Sequence, residues 1–251
     1  MSILRTLQRK LAFWLIPIFT LALAARLPAQ TNAVNFPPQT GDYYLYRGII
    51  AWSDGNGVHT NTVEWKTEVL DSFHHKGASG AYVRGFPTDL SGFEPGATPK
   101  DHILYWDGKR HVFLTAQNMT PEWNALKKSP KPKARLSRLE EEFSIQIPLV
   151  KGQTYGGDQV PPRTDHFYSW YVEDVSRFTN TIPNVPRREN RQKATLVYRT
   201  NPDHILIEFV PGIGVIRYNY NHHGSVDLVD MKLVEIGHKK PTPSQAKAKG
   251  N

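Results

Sequence analysis

Apolar and polar residues alternate with period two along most of this chain, and turn dipeptides interrupt the alternation at short intervals. From Gly41 the even positions Tyr44, Tyr46, Ile50 and Trp52 are apolar, and Asp54-Gly55-Asn56-Gly57 then supplies the positive-φ residues of a tight hairpin. The returning segment sets Val63, Trp65, Thr67 and Val69 on one face against Glu64, Lys66 and Glu68 on the other, a strand with one dry and one wet side. Residues 76–80 read as the next turn and lead into a strand over 81–85. A second hairpin joins 103–106 to 111–114 around Asp107-Gly108. A two-residue turn at that dipeptide sets Leu104 against His111 and His102 against Phe113, making the two histidines diagonal neighbours on one face.

From Thr120 the period changes. Thr120-Pro121-Glu122 has the form of an N-cap followed by proline at the first helical position. Trp123, Leu126, Leu136, Leu139 and Phe143 keep helical spacing around a breaker at Ser129-Pro130-Lys131-Pro132, so 120–143 predicts two short helices, or a loop with helical turns, inserted between strands. Strands resume over 144–149, turn at Gly156-Gly157-Asp158, and resume over 166–175. After a loop with Pro183, Pro186, Arg187, Arg188, Arg191 and Lys193, the chain reads as a meander over 194–199, 204–210 and 215–220 with a closing strand over 226–236. Asn201-Pro202-Asp203, Pro211-Gly212 and His223-Gly224 are its turns. The pattern predicts one mainly β domain, antiparallel, folded as a strongly curved sheet or partial barrel with a short helical insertion.

The first thirty residues break this pattern. Arg5, Arg9 and Lys10 precede an apolar stretch over 11–24, and Ala22, Ala24 and Ala29 offer cleavage after Ala24 or after Ala29. Residues 1–30 read as a secretory signal peptide, 31–238 as a single domain, and 239–251 as a disordered polar tail. An uncleaved anchor is the rival reading, but the apolar stretch falls short of the ~20 residues of a spanning helix. The expectation is an exported protein, periplasmic or extracellular, with no transmembrane segment after cleavage. The chain has no cysteine, which excludes both a lipid-modified cysteine and disulfides. The domain must be held by burial alone, for which its length suffices.

Charge changes the picture less than the net +8 implies. Four basic residues lie in 1–30 and four more, Lys239, Lys240, Lys247 and Lys249, lie in the tail. Removing these eight leaves 23 basic residues against 23 acidic ones in 31–238. A neutral folded part lacks the basic footprint of a nucleic-acid binder, so no nucleic-acid partner is expected. Lys127, Lys128, Lys131, Lys133, Arg135 and Arg138 form a basic stretch, but Glu140, Glu141 and Glu142 follow at once and favour a self-paired, solvated insertion.

Phe209-Val210-Pro211-Gly212-Ile213-Gly214-Val215, Pro148-Leu149-Val150-Lys151-Gly152 and the opening Phe36-Pro37-Pro38-Gln39-Thr40-Gly41-Asp42-Tyr43 carry a resemblance. The chain resembles uncharacterised secreted bacterial β-rich proteins that combine a Pro-Leu-x-x-Gly segment with a Phe-x-Pro-Gly-Ile-Gly turn between two late strands. The resemblance covers about a third of the mature chain. It implies a β fold and an envelope or extracellular setting, and it brings no active site. Gly212 and Gly214 have their own rationale in the positive φ or close approach of a tight turn.

Motifs of catalysis are absent: no H-E-x-x-H, C-x-x-C, phosphate loop or G-x-S-x-G elbow occurs. His74-His75 with Asp71, and His222-His223 with Asp227, have the residue types of a metal site, but adjacent strand residues point to opposite faces and both pairs sit at turns. Neither a metal nor another cofactor is expected. Glu140 to Glu142 and the pair Glu173 and Asp174 could supply the two carboxylates of glycoside hydrolysis, and Ser169 and Ser225 lie near histidines without an activating context. The aromatic strands carry the functional reading, because Tyr and Trp join an apolar body to a polar edge. Trp106, Trp123 and Trp170 are the candidates to line a ligand cavity between the curved sheet and the 120–143 insertion. The leading expectation is a non-catalytic exported protein that binds an amphipathic small molecule, glycan or envelope protein. The alternatives are an envelope hydrolase with a site assembled from scattered Asp, Glu and His residues, and a structural or partner-assembly protein.

Overall fold

The computed structural model describes residues 38–239 except 76, 94–95, 97, 116–118, 130–135, 137–138, 157–162, 184, 186–189 and 224–226. The predicted leader and residues 240–251 lie outside the described residues. The strands are β1 (Asp42–Asp54), β2 (Gly57–His75), β3 (Ala78–Arg84), β4 (Asp101–Trp106), β5 (Arg110–Thr115), β6 (Glu140–Gln146), β7 (Thr154–Tyr155), β8 (Trp170–Arg177), β9 (Gln192–Arg199), β10 (Asp203–Val210), β11 (Gly214–His222) and β12 (Asp227–His238). They make one 12-stranded antiparallel sheet in the order β6-β5-β4-β3-β2-β1-β12-β11-β10-β9-β8-β7. Two six-strand meanders are thus joined where the first strand pairs with the last, Trp52 opposite Asp227 and Asp42 opposite His238.

Contacts between strands that are not neighbours define the concave face. The Tyr46 hydroxyl of β1 donates to Val215 O of β11 at 2.9 Å. The His111 ring of β5 meets Phe209 of β10 at 5.0 Å, and Phe143 of β6 meets Trp170 of β8 at 5.7 Å. The sheet therefore curls into a nearly closed barrel, with its seam between β6 and β7, where Gln153 Nε2 donates to Gln146 Oε1 at 3.4 Å. The curl needs close backbone approach. At Gly48 a Cβ would lie 1.8 Å from Asp230 O of β12, so only glycine fits.

The alternation read from the sequence is the alternation between the two faces. Tyr44, Tyr46, Ile50, Val69, Ala81, Val83, Leu104, Phe113, Ile145, Leu196, Ile207, Phe209, Tyr218, Val229 and Met231 pack together on the concave side. The connection from β3 to β4 crosses that face and fills it: Phe86 and Leu90 are buried there, a 3-10 turn spans Pro87–Leu90, and Ser91 Oγ lies 2.7 Å from the Tyr218 hydroxyl. A second apolar cluster lies on the convex face, where Met119, Trp123 and Leu126 of the helix α1 (Met119–Lys128) cover Phe73, Tyr82, Ile103, Tyr105 and Val112. A bulge at Leu70 between Val69 and Asp71 switches β2 from one face to the other, which puts Phe73 outside. Elsewhere the outer face carries cross-strand ion pairs, Arg47 with Glu64, Arg217 with Asp230 and Lys193 with Glu208.

Three local expectations are corrected. The β4–β5 turn closes on Asp107 and Arg110, whose backbones bond at 3.4 Å, so Leu104 faces Phe113 and Trp106 faces His111. The register is displaced by two residues from the Asp107-Gly108 reading, and His102 and His111 are not diagonal neighbours. Asp107 explains the choice, because its carboxylate accepts the N–H groups of Lys109 and Arg110 at 3.1 Å each. Phe143 lies in β6 opposite Phe113 rather than on a helix. Thr120 is no N-cap: the helix begins at Met119, and the Thr120 hydroxyl lies 2.9 Å from that of Tyr82. Lys239, the first residue of the expected tail, donates its N–H to Gly41 O at 2.8 Å just outside the paired ends of β12 and β1.

Candidate functional site

One rung of the sheet gathers polar and aromatic side chains at the rim of the concave face. Trp52 of β1 stands between His59 of β2 and Asp227 of β12 in the pairing register. Continuing the β11–β12 ladder one step past Asn221 and Leu228 brings His222 beside Asp227, and His222 pairs with Asp203 of β10. Five consecutive strands thus contribute Asp203, His222, Asp227, Trp52 and His59 to one row. Each shares parity with concave core residues of its own strand, Ile205, Tyr218, Val229, Ile50 and Val63.

Each member of the row is held by its neighbours. Asp203 Oδ1 accepts from the Tyr220 hydroxyl at 2.8 Å and lies 2.9 Å from His222 Nδ1. Burial opposes ionisation of Asp203, but those bonds outweigh it and hold the carboxyl below its usual range. Trp52 stacks on His59 at 5.1 Å and touches Phe93, from the crossing connection, at 5.0 Å. His59 Nε2 in turn lies 3.0 Å from Asp54 Oδ1. Asp227 Oδ2 accepts the Gly92 N–H at 2.9 Å, yet burial outweighs that bond and raises its carboxyl above the ordinary value. Two buried polar atoms of this row have no hydrogen-bond partner among the described residues, the donor Trp52 Nε1 and the acceptor Asp227 Oδ1. Directly paired residues on one face of an antiparallel ladder have Cβ atoms ~5 Å apart.

The tryptophans chosen from sequence are not brought together. Trp123 is on the convex face, stacked on Tyr82 at 5.8 Å, with its Nε1 donating to Asp71 Oδ2 at 3.0 Å. Trp170 is buried in the concave core between Phe143 and Tyr198. Trp106 stacks on His111 at 5.6 Å, and its buried Nε1 has no partner among the described residues. Trp123 therefore shares no surface with the other two. Trp65 is a further concave tryptophan whose buried Nε1 lacks a partner among the described residues.

The other candidates are engaged in local structure. Asp71 accepts Lys127 Nζ at 2.6 Å, His75 Nε2 lies 3.0 Å from Lys127 O, and His74 Nδ1 lies 2.6 Å from Ser79 Oγ. Among the described residues no group of three His, Asp or Glu side chains could hold a metal ion. Glu141, Glu173 and Asp174 pair with Arg110, Arg199 and Lys151. Ser169 Oγ donates to His166 O at 3.1 Å, and Ser225 lies outside the described residues. Glu142 alone of these joins a buried charge group. His102 Nε2 lies 2.8 Å from Asp89 Oδ1 and its Nδ1 3.3 Å from Glu142 Oε1, with the Asp89 and His102 side chains only 1% and 2% exposed. That seclusion from solvent makes the pair part of the concave core.

No protein-family model matches the chain, and no curated protein sequence matches it. A solved structure that aligns with it is that of a Bacteroides fragilis protein, described as a candidate exported protein with a YmcC-like fold. The alignment has 10% identity, covers 80% of this chain and 98% of that one, and has a TM-score of 0.35. A likeness at that score carries no argument, and the barrel-like architecture rests on the strand register itself.

Proposed function

We propose that the chain is an exported, non-catalytic β protein that binds an amphipathic, hydroxyl-bearing molecule of the cell envelope at the rim row. One observation carries the reading: a buried donor, Trp52 Nε1, and a buried acceptor, Asp227 Oδ1, stand on directly paired residues with no other partner among the described residues. A ligand hydroxyl that reaches both would accept from the indole and donate to the carboxylate. Leaving either atom desolvated and unpaired costs ~1–3 kcal/mol. The apolar part of the ligand has a path along the concave side of β2, where Val63 and Trp65 are only partly covered. From His59, past the polar Asn61, to Trp65 the distance is about 20 Å at the rise of an extended strand. Export is supported by the basic, apolar and small-residue order of residues 1–30.

A hydrolase is the second reading. Asp203 holds Nδ1 of His222, the arrangement in which a carboxylate orients an imidazole and leaves Nε2 to take a proton. The two are separated by titrating the mature protein with n-octyl β-glucoside below its micellar concentration, following tryptophan fluorescence and release of octanol. Saturable binding without octanol release is expected, weakened roughly ten-fold, about 1.4 kcal/mol, in Trp52→Phe and in Asp227→Asn. Equal binding of octyl dimethylamine oxide, which has no hydroxyl, would contradict the proposed head-group site. Octanol release abolished in His222→Ala would establish the hydrolase instead.

A further inference from the structure

The longest strand is also a partly uncovered edge. β2 pairs with β1 over Gly57 to Glu68, but with β3 only from Glu68 onward, so among the described residues its first half has a strand neighbour on one side alone. The two-residue hairpin closed by Asp54 and Gly57 sets the phase of the ladder: odd residues of β2 bond to β1, and even residues turn their N–H and C=O groups away. Lys66 marks the far limit of this edge, because Gly85 packs against its outward carbonyl, where a Cβ would lie 2.4 Å from Lys66 O. The free stretch is therefore 57–65, with Val58, Thr60, Thr62 and Glu64 presenting backbone groups outward. All four side chains are exposed, Val58 by 64%.

Such an edge is a template for another strand, and proteins ordinarily blunt it with Pro, Lys, a bulge or a covering segment. Residues 57–65 contain no Pro or Lys, and the ladder with β1 runs through them without a register shift. β-branched residues fill it instead: Val58, Thr60, Thr62 and Val63.

We propose that this edge joins two copies of the chain by antiparallel β2–β2 pairing about a two-fold axis at Asn61. The midpoint of the free stretch selects that register, since Asn61 is equidistant from Gly57 and Trp65. The whole edge is then used, and each hairpin tip ends level with Lys66 of the other copy. Thr60 faces Thr62 of the second copy, Val58 faces Glu64, and Asn61 faces itself. No like charges meet, and Glu64, already paired with Arg47 at 2.9 Å, stays on the solvated face. The four outward residues of each copy give about eight intermolecular backbone hydrogen bonds. An isologous contact of this kind closes on itself and ends at the dimer.

The absence of cysteine makes the test clean. Asn61 lies at a pair not hydrogen-bonded across the axis, where Cα atoms stand ~4.5 Å apart, within disulfide reach. Light scattering on the mature protein gives a dimer mass, and Asn61→Cys forms a disulfide dimer under mild oxidation roughly ten-fold faster than Lys109→Cys at the exposed β4–β5 tip. Thr62→Pro removes an outward N–H that β1 does not use and gives a monomer with unchanged circular dichroism. A wild-type monomer at every concentration tested, or cross-linking of Asn61→Cys no faster than that of Lys109→Cys, overturns the proposal. So does a Thr62→Pro protein that is folded and still dimeric.

Discussion

Two buried histidines on one concave face have their pKa values shifted in opposite directions by their surroundings. Burial pushes His102 down, but Asp89 and Glu142 outweigh it and raise the imidazole from 6.5 to about 9. His111, between Trp106 and Phe209, has burial as its dominant influence and falls to about 3. The signs of their pH dependence follow. His102 has a folded value above its unfolded one, so its stabilisation is complete below about 6.5 and is lost as pH rises through about 9. His111 has a folded value below its unfolded one, so its neutral packing stabilises above about 6.5 and that contribution is lost as pH falls toward about 3. Thermal melts should show the melting temperature of His102→Asn approaching that of wild type between pH 6.5 and 9, and His111→Phe losing less stability than wild type on acidification from pH 6.5 to 4. A His102→Asn deficit that is constant across the alkaline range would mean that the histidine is neutral in the fold. Neither role was legible in the sequence. His102 takes its charge from Asp89 on the crossing connection and Glu142 on β6, and only the closed fold brings those residues together.

Elements were legible where alternation is strict and local. The first hairpin and the late meander fall where the period-two pattern and the turn residues put them, and Gly212 and Gly214 do take positive φ, at 85° and 106°. The pattern failed where a tertiary contact outweighed spacing: Phe143 has helical spacing from Leu139, yet it stacks on Phe113 at 3.9 Å as part of β6. The helix α1 shows how an element is held in place by few groups. Trp123 and Leu126 cover the convex patch, while Asp71 accepts both Trp123 Nε1 and Lys127 Nζ. Burial opposes ionisation of Asp71, but these bonds hold its carboxyl below the usual range. Trp123→Ala should cost about 3–5 kcal/mol. Hydrogen exchange should speed up in α1 and the nearby β3 to β5, while β9 to β12 keep their protection. Uniform loss of protection would show that α1 is integral to the whole barrel rather than a cover on one part of it.

At the scale of the whole molecule, the pairing of β1 with β12 decides both architecture and site. It turns two meanders into one curled sheet and sets Trp52 beside Asp227, residues from opposite ends of the domain that no local pattern connects. The sequence marked Asp227 and His222 as polar turn residues and Trp52 as one strand aromatic among many. Alternation told which face each occupies, but not which strands close the rung. The aromatic content pointed to binding in general terms, whereas Trp106, Trp123 and Trp170, the candidates to line a cavity between sheet and insertion, are divided between the two faces. The central claim is that the rim row binds an amphipathic, hydroxyl-bearing molecule. Native mass spectrometry of the mature chain, exported by a bacterial host and gently purified, tests it most directly when wild type is measured beside Trp52→Phe/Asp227→Asn. The account predicts an added mass on wild type that is lost on denaturation and absent from the folded double variant. No added mass on wild type, or the same mass on both proteins, would contradict it.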